Sequence, residues 1–386
     1  MKKWANLALA VLLSGALLGG VSYMPGQASA DTAVTAGCRA DDNGLDLKTV
    51  ADTGNPHFQS VQFLSVNIGR AAGNGFMLGT SDAGCHWQAI NNEGKYVFTQ
   101  MQFLTNKLGY VLVQTDPTKP VNTLLRTADG GSTYKWIPTG NHPFGRVRFF
   151  TQETGFGYTW NGAYKTTNGG QTWTKVQTPA NTRYTQFITP TKGWAVVFLV
   201  GGGYQVQKTT DGGLHWTNTL TVKAEDSFGG SIYGTDSEDV WVVLLGGSGM
   251  TQTSYSVFHT TNAGASWQQV ISNPTAGGGP APGPKAKAGT LVGPTGRPDD
   301  MQVFGRSAAF LAAGSPGYEQ TFFGHSVDDG KTWTNLSSVT GSDAKISFTS
   351  PNNGYLAVTD SLYPSVFGTT DGGKTWTKKF SLPTTP

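Results

Sequence analysis

Charge is scarce in this chain. Asp, Glu, Lys and Arg make up 13% of its 386 residues, about half the share of roughly 25% usual in soluble domains. That shortage excludes a charged coiled coil and a charged disordered tail. The net charge is +3, and Lys2 and Lys3 supply two of those positives, so the basic stripe of a nucleic-acid binder is missing. Glutamate occurs five times (Glu93, Glu153, Glu225, Glu238, Glu319), arginine eight times, and cysteine only as Cys38 and Cys85. The six histidines show no metal-ligand spacing. No phosphate-cradling glycine loop and no Ser-centred nucleophile elbow occurs. Beyond the N-terminal segment no apolar run is long enough to span a bilayer. No metal, cofactor or nucleic-acid partner is expected.

What the chain has in excess is glycine, at 53 residues, and tryptophan, at 11. Tight turns between short aromatic-rich strands account for both. The N-terminus reads as an export signal: Lys2-Lys3, an apolar stretch from Trp4 to Tyr23, then Ala28-Ser29-Ala30. Residues 1–30 are expected to be removed before Asp31, giving a secreted or cell-surface protein; an uncleaved membrane anchor is the other reading. In an exported chain Cys38 and Cys85 read first as one disulfide. Lipidation of Cys38 and two free thiols are the alternatives.

One pattern, Ser/Thr-x-Asp/Asn-x-Gly-x-x-Trp, recurs seven times, with its acid or amide at Asp82, Asp129, Asn168, Asp211, Asn262, Asp328 and Asp371. The second copy has Tyr134 in the Trp slot. The steps between copies are 47, 39, 43, 51, 66 and 43 residues. Asp or Asn accepts bonds from nearby backbone N–H groups in a turn, glycine supplies a positive φ, and Trp covers the turn with an apolar face. Seven copies of one turn describe a scaffold. Upstream of each copy lies a polar residue followed by an apolar one: Gln62-Phe63, Gln102-Phe103, Arg148-Phe149, Gln186-Phe187, Ser231-Ile232, Gln302-Val303 and Ser347-Phe348. Four strands per repeat of 40 to 50 residues is the signature of a propeller blade. The expected fold is all-β: a single seven-bladed β-propeller over 58–386, four antiparallel strands per blade. An N-terminal arm, 31–57, precedes it, and a Gly/Pro-rich insertion, 272–300, interrupts it.

The seven turns resemble the Asp-box, or BNR, repeat. It is found in sialidases, in xyloglucan-cleaving glycosidases, in sortilin-type receptors and in the photosystem II stability/assembly factor-like family, among the broader YVTN/WD-repeat-like propellers. The phrases Lys192-Gly-Trp-Ala-Val196 and Thr369-Thr-Asp-Gly-Gly-Lys-Thr-Trp376 look most like the assembly-factor group. That resemblance implies a non-enzymatic propeller that holds a partner protein through an arginine-rich patch. With eight arginines, the patch cannot be transferred residue by residue.

The rim away from the Asp-box turns is where length varies. Aromatics expected at its loop tips are Trp160, Tyr164, Tyr204, Tyr255, Tyr318 and Tyr363, rings suited to sugars or extended peptides. Arg146, Arg148 and Arg183 form the visible basic grouping and suit a carboxylate or phosphate. The insertion reads as a flexible loop, or as a lid or tether. Arg70 stands in a slot that is aromatic in most blades. A sialidase-like site would require Arg70, Arg183 and Arg306 to converge. A glycosidase would draw two carboxyls from Glu225, Asp226, Asp236, Glu238 and Asp239. The leading expectation is an exported, monomeric, non-catalytic propeller that binds an envelope protein or polysaccharide. The alternative is a sialidase-like or other glycoside hydrolase.

Overall fold

The computed structural model describes residues 56–382, apart from 92, 117–120, 276, 286–291, 307 and 361. The export segment, Cys38 and the arm up to residue 55 lie outside the described residues. Cys85 is disulfide-bonded.

Seven four-stranded antiparallel sheets follow one another along the chain, each pairing its strands in chain order. Blade 1 runs Phe58–Asn91, blade 2 Val97–Ile137, blade 3 Arg146–Lys175 and blade 4 Thr182–Val222. Blade 5 runs Gly229–Asn273, blade 6 Arg297–Thr340 and blade 7 Ala344–Ser381. The protein is a seven-bladed β-propeller. Among the described residues the one helical element is a 3-10 turn, Pro316–Tyr318.

Sequence pattern assigns each strand its place. Second strands such as Val240–Ser248 and Ala308–Ser315 are almost wholly buried, because neighbouring blades cover both faces. Innermost strands alternate buried and half-buried residues, as in Val97–Phe103. Outermost strands such as Thr217–Val222 are largely exposed and polar.

The repeated turn joins strands three and four in every blade. In blade 2 the Thr127 hydroxyl donates to Asp129 Oδ1 at 2.8 Å, and Gly131 N–H donates to that hydroxyl at 2.9 Å. Asp129 Oδ1 also accepts from Thr133 N–H at 2.9 Å. The same three bonds recur at Asp371 and in the other five turns.

Blades are joined by a second recurring device. The aromatic residue opening the second strand stacks on the aromatic that ends the next blade's first strand. Tyr110 lies 3.6 Å from Phe149, Phe156 4.0 Å from Phe187, and Phe310 3.9 Å from Phe348. Each stack adds about 0.5–1.5 kcal/mol beyond area burial. The ring closes the same way: Tyr355 of blade 7 stacks 3.4 Å from Phe63 of blade 1, and its hydroxyl donates to Val66 O at 2.6 Å.

Arg70 has a structural explanation within this device. Its guanidinium lies 4.0 Å over Phe103, in place of the ring, and donates to Gly130 O at 3.0 Å and Asn106 O at 2.5 Å. In blades 3 and 4 such carbonyl contacts come from the residue before the turn, where Lys165 donates to Pro190 O and Lys208 to Ala263 O. Blade 1 has Gly79 there, where a Cβ would meet Ile90 at 2.5 Å. Arg70 therefore covers the ring and reaches the carbonyls at once.

The insertion differs from the expected free loop. Ser272 and Asn273 still belong to blade 5, and Arg297–Phe304 is already the first strand of blade 6. Between them the described segment is bonded to blade 5. Ser254 Oγ donates to Gly278 O, Ser256 Oγ to Pro282 O and Tyr255 Oη to Pro294 O. Gly278 lies so close to Gly247 O that a Cβ would sit 2.1 Å from it. Glycine permits this backbone-on-backbone contact, so the described part of the insertion is a strap on blade 5.

Candidate functional site

The first strand of each blade lines the central channel. Its pairing with the second strand defines two rows of equivalent residues. One row is Gln62, Gln102, Arg148, Gln186, Tyr233, Gln302 and Ser347; the other, two residues upstream, is Ser60, Gln100, Arg146, Tyr184, Ser231, Asp300 and Lys345. In blade 5 the register puts Tyr233-Gly234 in the slot expected for Ser231-Ile232. The polar-then-apolar pattern is broken there, because glycine replaces the large residue.

Most of the ring is structural. Gln62 grips Phe103 by donating to its carbonyl at 3.0 Å and accepting from its N–H at 2.7 Å. Gln102 does the same to Phe149, Gln302 to Phe348 and Gln100 to Val147. Ser347 accepts from Phe63 N–H at 2.8 Å. These side chains satisfy backbone groups of the next blade.

Blade 3 breaks the rule. Arg148 occupies a Gln position but cannot accept a bond. Phe187 N–H, which a Gln there would serve, donates instead to the Tyr158 hydroxyl at 3.0 Å. Among the described residues no hydrogen bond or ion pair involves Arg148; its guanidinium lies 5.3 Å from the Phe150 ring. Burial holds its pKa below the usual arginine value, and the neighbouring Arg146 lowers it further. Two residues upstream, Arg146 is clamped between Tyr158 and Tyr184, its Cζ 4.4 and 4.0 Å from the ring centres. It donates to the Tyr184 hydroxyl, to Gln186 Oε1 at 2.6 Å and to Thr185 O at 2.6 Å. Among the described residues neither guanidinium meets a carboxylate.

Both arginines open into a cavity of about 560 Å³ that continues past Tyr184, Gln186, Ser231 and Tyr233 to Asp299 and Asp300 of blade 6. Asp299 sits at a β-bulge between Pro298 and Asp300, a device that re-aims a side chain. It pairs with Lys345 of blade 7 at 2.5 Å. Asp300 Oδ2 accepts from Ile346 N–H at 3.0 Å. Desolvation pushes the Asp300 carboxyl up to about 6, against the opposing pull of Lys345. Asp343 is raised as well, by burial and then by Asp299. The cavity thus has a cationic wall on blade 3 and an anionic wall on blade 6, separated by the uncharged side chains of blades 4 and 5.

The mouth lies on the rim away from the repeated turns, since Asp299 and Arg146 stand near the strand two–three ends of their blades. Six of the seven strand two–three turns carry an exposed apolar residue there: Val121, Trp160, Val200, Met250, Tyr318 and Leu362. The repeated turns themselves expose two large apolar side chains among the described residues, Leu214 and Val327.

The expected aromatics separate on inspection. Trp160 and Tyr318 are exposed, at 74% and 60%. Tyr204 and Tyr255 are wholly buried: they are the first and third residues of third strands, and their hydroxyls bond Leu245 O and Pro294 O. They are corrected from loop-tip rings to core residues. Tyr164 lies within a strand, stacked 3.9 Å from His142. Tyr363 is half-buried and donates to Glu319 at 2.9 Å. Arg183 leaves the arginine pair: it sits at a bulge, 5.9 Å from the Trp160 ring and 5.5 Å from Phe198.

The three arginines invoked for a sialidase-like site do not converge, Arg183 lying beside Trp160 and Phe198. Arg70 is buried between blades 1 and 2. Arg306 lies at the opposite rim, bonded to Thr261 O and 3.8 Å from Glu238. Asp239 is buried and bonded to Trp241 Nε1 at 3.0 Å and His259 at 3.2 Å. Asp236 accepts from Glu238 and Asp239 N–H. The turn acids are scaffold too: Asp129 is held down to about 2 by the Thr133 side chain and backbone. No His/Cys/Asp/Glu group suited to a metal occurs among the described residues.

No protein-family profile matches the chain, and no curated protein matches it. Solved structures do. YCF48 bound to D1 peptide is 18% identical at a TM-score of 0.50, over 82% of this chain and 91% of that one. YCF48 from Cyanidioschyzon merolae is 17% identical at 0.52, over 79% and 94%. The GH74 xyloglucanase from Xanthomonas campestris is 13% identical at 0.55, over 85% of this chain and 54% of that one, so this chain spans about half its length. At these identities the likeness establishes the propeller fold and leaves function open.

Proposed function

We propose that this chain is an exported, non-catalytic propeller that binds an extended segment of a partner protein at the channel mouth on the rim away from the repeated turns. One observation carries the reading: Arg148 occupies a bridging position of the inner ring, does no bridging, and faces a cavity beside a second arginine. Arg148 is half-buried and has no counter-charge among the described residues, and such a departure from a scaffold rule is expected where a ligand makes up the difference. Exposed apolar side chains around the mouth suit a protein surface, and a cavity with convergent polar groups suits an inserted side chain or chain end. YCF48, a similar propeller, is seen bound to D1 peptide, which supports a peptide as the kind of ligand this fold can hold. Export rests on the Lys2-Lys3, apolar and Ala28-Ser29-Ala30 sequence.

The test is site-specific photo-cross-linking in the cells that make the protein. A benzoylphenylalanine in place of Trp160 or Tyr318 should yield one recurrent protein adduct, and one in place of Leu214 on the opposite rim should not. Equal capture from both rims, or capture of glycan alone, contradicts the reading.

A further inference from the structure

No described ion pair joins the two charged walls of the channel. Arg146 bonds Tyr184, Gln186 and Thr185. Asp299 pairs with Lys345 on its own side, and Asp300 accepts from Ile346 N–H. The acid side holds Asp299, Asp300 and Asp343 against one cation, Lys345, and the basic side holds two guanidiniums with no carboxylate among the described residues. Blades 4 and 5 keep the walls apart with Tyr184, Gln186, Ser231 and Tyr233, all of which line the same cavity.

Resting on the peptide-binding reading above, we infer that the ligand is amphoteric: a protein segment that sets a carboxylate against Arg146 and Arg148 and a lysine or arginine against Asp299 and Asp300. A ligand with only one of these charges would neutralise one wall and leave the other desolvated. A ligand with both satisfies each wall with charge-assisted bonds, and the fixed polarity of the channel sets the direction in which the segment lies. The carboxylate is supplied by a chain terminus or by an acidic side chain; the chemistry is shared, and the test separates the two.

The ring itself provides clean variants. Arg148→Gln installs the residue that blades 1, 2, 4 and 6 carry there, and Asp300→Gln installs the counterpart of Gln100, so each is compatible with the scaffold. The probes are fluorescent hexapeptides of alanine and serine with lysine at each position in turn. They are made with a free C-terminus, with an amidated C-terminus and a final Glu, with norleucine for lysine, and with neither charge. Fluorescence anisotropy should show the best doubly charged peptide binding at least about tenfold tighter than either singly charged one, a factor in the range of one charge-assisted bond. Arg148→Gln should erase the preference for the carboxylate and keep that for lysine. Asp300→Gln should do the reverse, with the melting temperature of each variant at or above that of the parent. Whether free terminus or final Glu binds tighter identifies the source of the carboxylate. Binding that ignores charge overturns the amphoteric ligand and leaves peptide binding standing. Failure of every series to bind overturns both.

Discussion

The junction between blades 2 and 3 and the junction between blades 3 and 4 are built on the same backbone register with different side chains. At the first, Gln100 and Gln102 make four hydrogen bonds to Val147 and Phe149. At the second, Arg146 and Arg148 hold those positions. Arg146 bonds Tyr184, Gln186 and Thr185, Arg148 bonds none of its described neighbours, and the Tyr158 hydroxyl takes over the Phe187 N–H. The contrast separates two uses of one position. Where the repeat is obeyed, a polar side chain is a fastener. Where it is broken and the fastening is reassigned, the side chain is free to meet a ligand.

The largest loss of stability is expected at a junction that depends on scaffold alone. Tyr355→Ala removes the stack on Phe63 and the bond to Val66 where the ring closes, and should cost about 3–5 kcal/mol in urea unfolding. Gln102→Ala leaves the Phe149 N–H and C=O without their partners and should cost about 1–3 kcal/mol. Arg148→Ala at the equivalent position should stay within about 0.5 kcal/mol of the parent. A large loss there would break the distinction.

Acid titration compares Asp300 with its counterpart Gln100. The Asp300 carboxyl is raised from 3.8 to about 6 by burial, so the folded state binds the proton more tightly than the unfolded chain. Stability contributed by this group is therefore highest below pH 3.8 and falls as pH rises towards 6. Asp300→Gln should remove that fall, seen as a flatter pH dependence of the unfolding midpoint between those values. The smallest expected effect on stability is on the rim. Trp160→Ala and Leu214→Ala should each change it by less than about 0.5 kcal/mol, while only the first should reduce partner capture.

The repeated turn was legible because its hydrogen bonds demand particular residues at fixed offsets, and seven copies of it count the blades. The row containing Gln62, Gln102 and Arg148 was legible as polar residues beside large apolar ones. The upstream row carries no such marker, although the same alternation places Tyr184, Asp300 and Lys345 there; Arg146 stands out by its charge. Blade 5 misled by two residues because Gly234 removes the apolar marker. Tyr204 and Tyr255 looked like loop tips because strand ends are set by pairing across the sheet, and Asp299 escaped notice because a bulge has no sequence signature of its own. The insertion's composition suggested freedom; its glycines instead allow close contact with blade 5.

The most direct test of the account is the reciprocal exchange of the two junctions, Gln102→Arg and Arg148→Gln, each measured for unfolding midpoint and peptide binding. Gln102→Arg should lower the midpoint and leave binding intact, and Arg148→Gln should keep or raise the midpoint and weaken binding to carboxylate-bearing peptides. A fall in midpoint for Arg148→Gln as large as that for Gln102→Arg, with binding unchanged, would make Arg148 a structural residue and contradict the account.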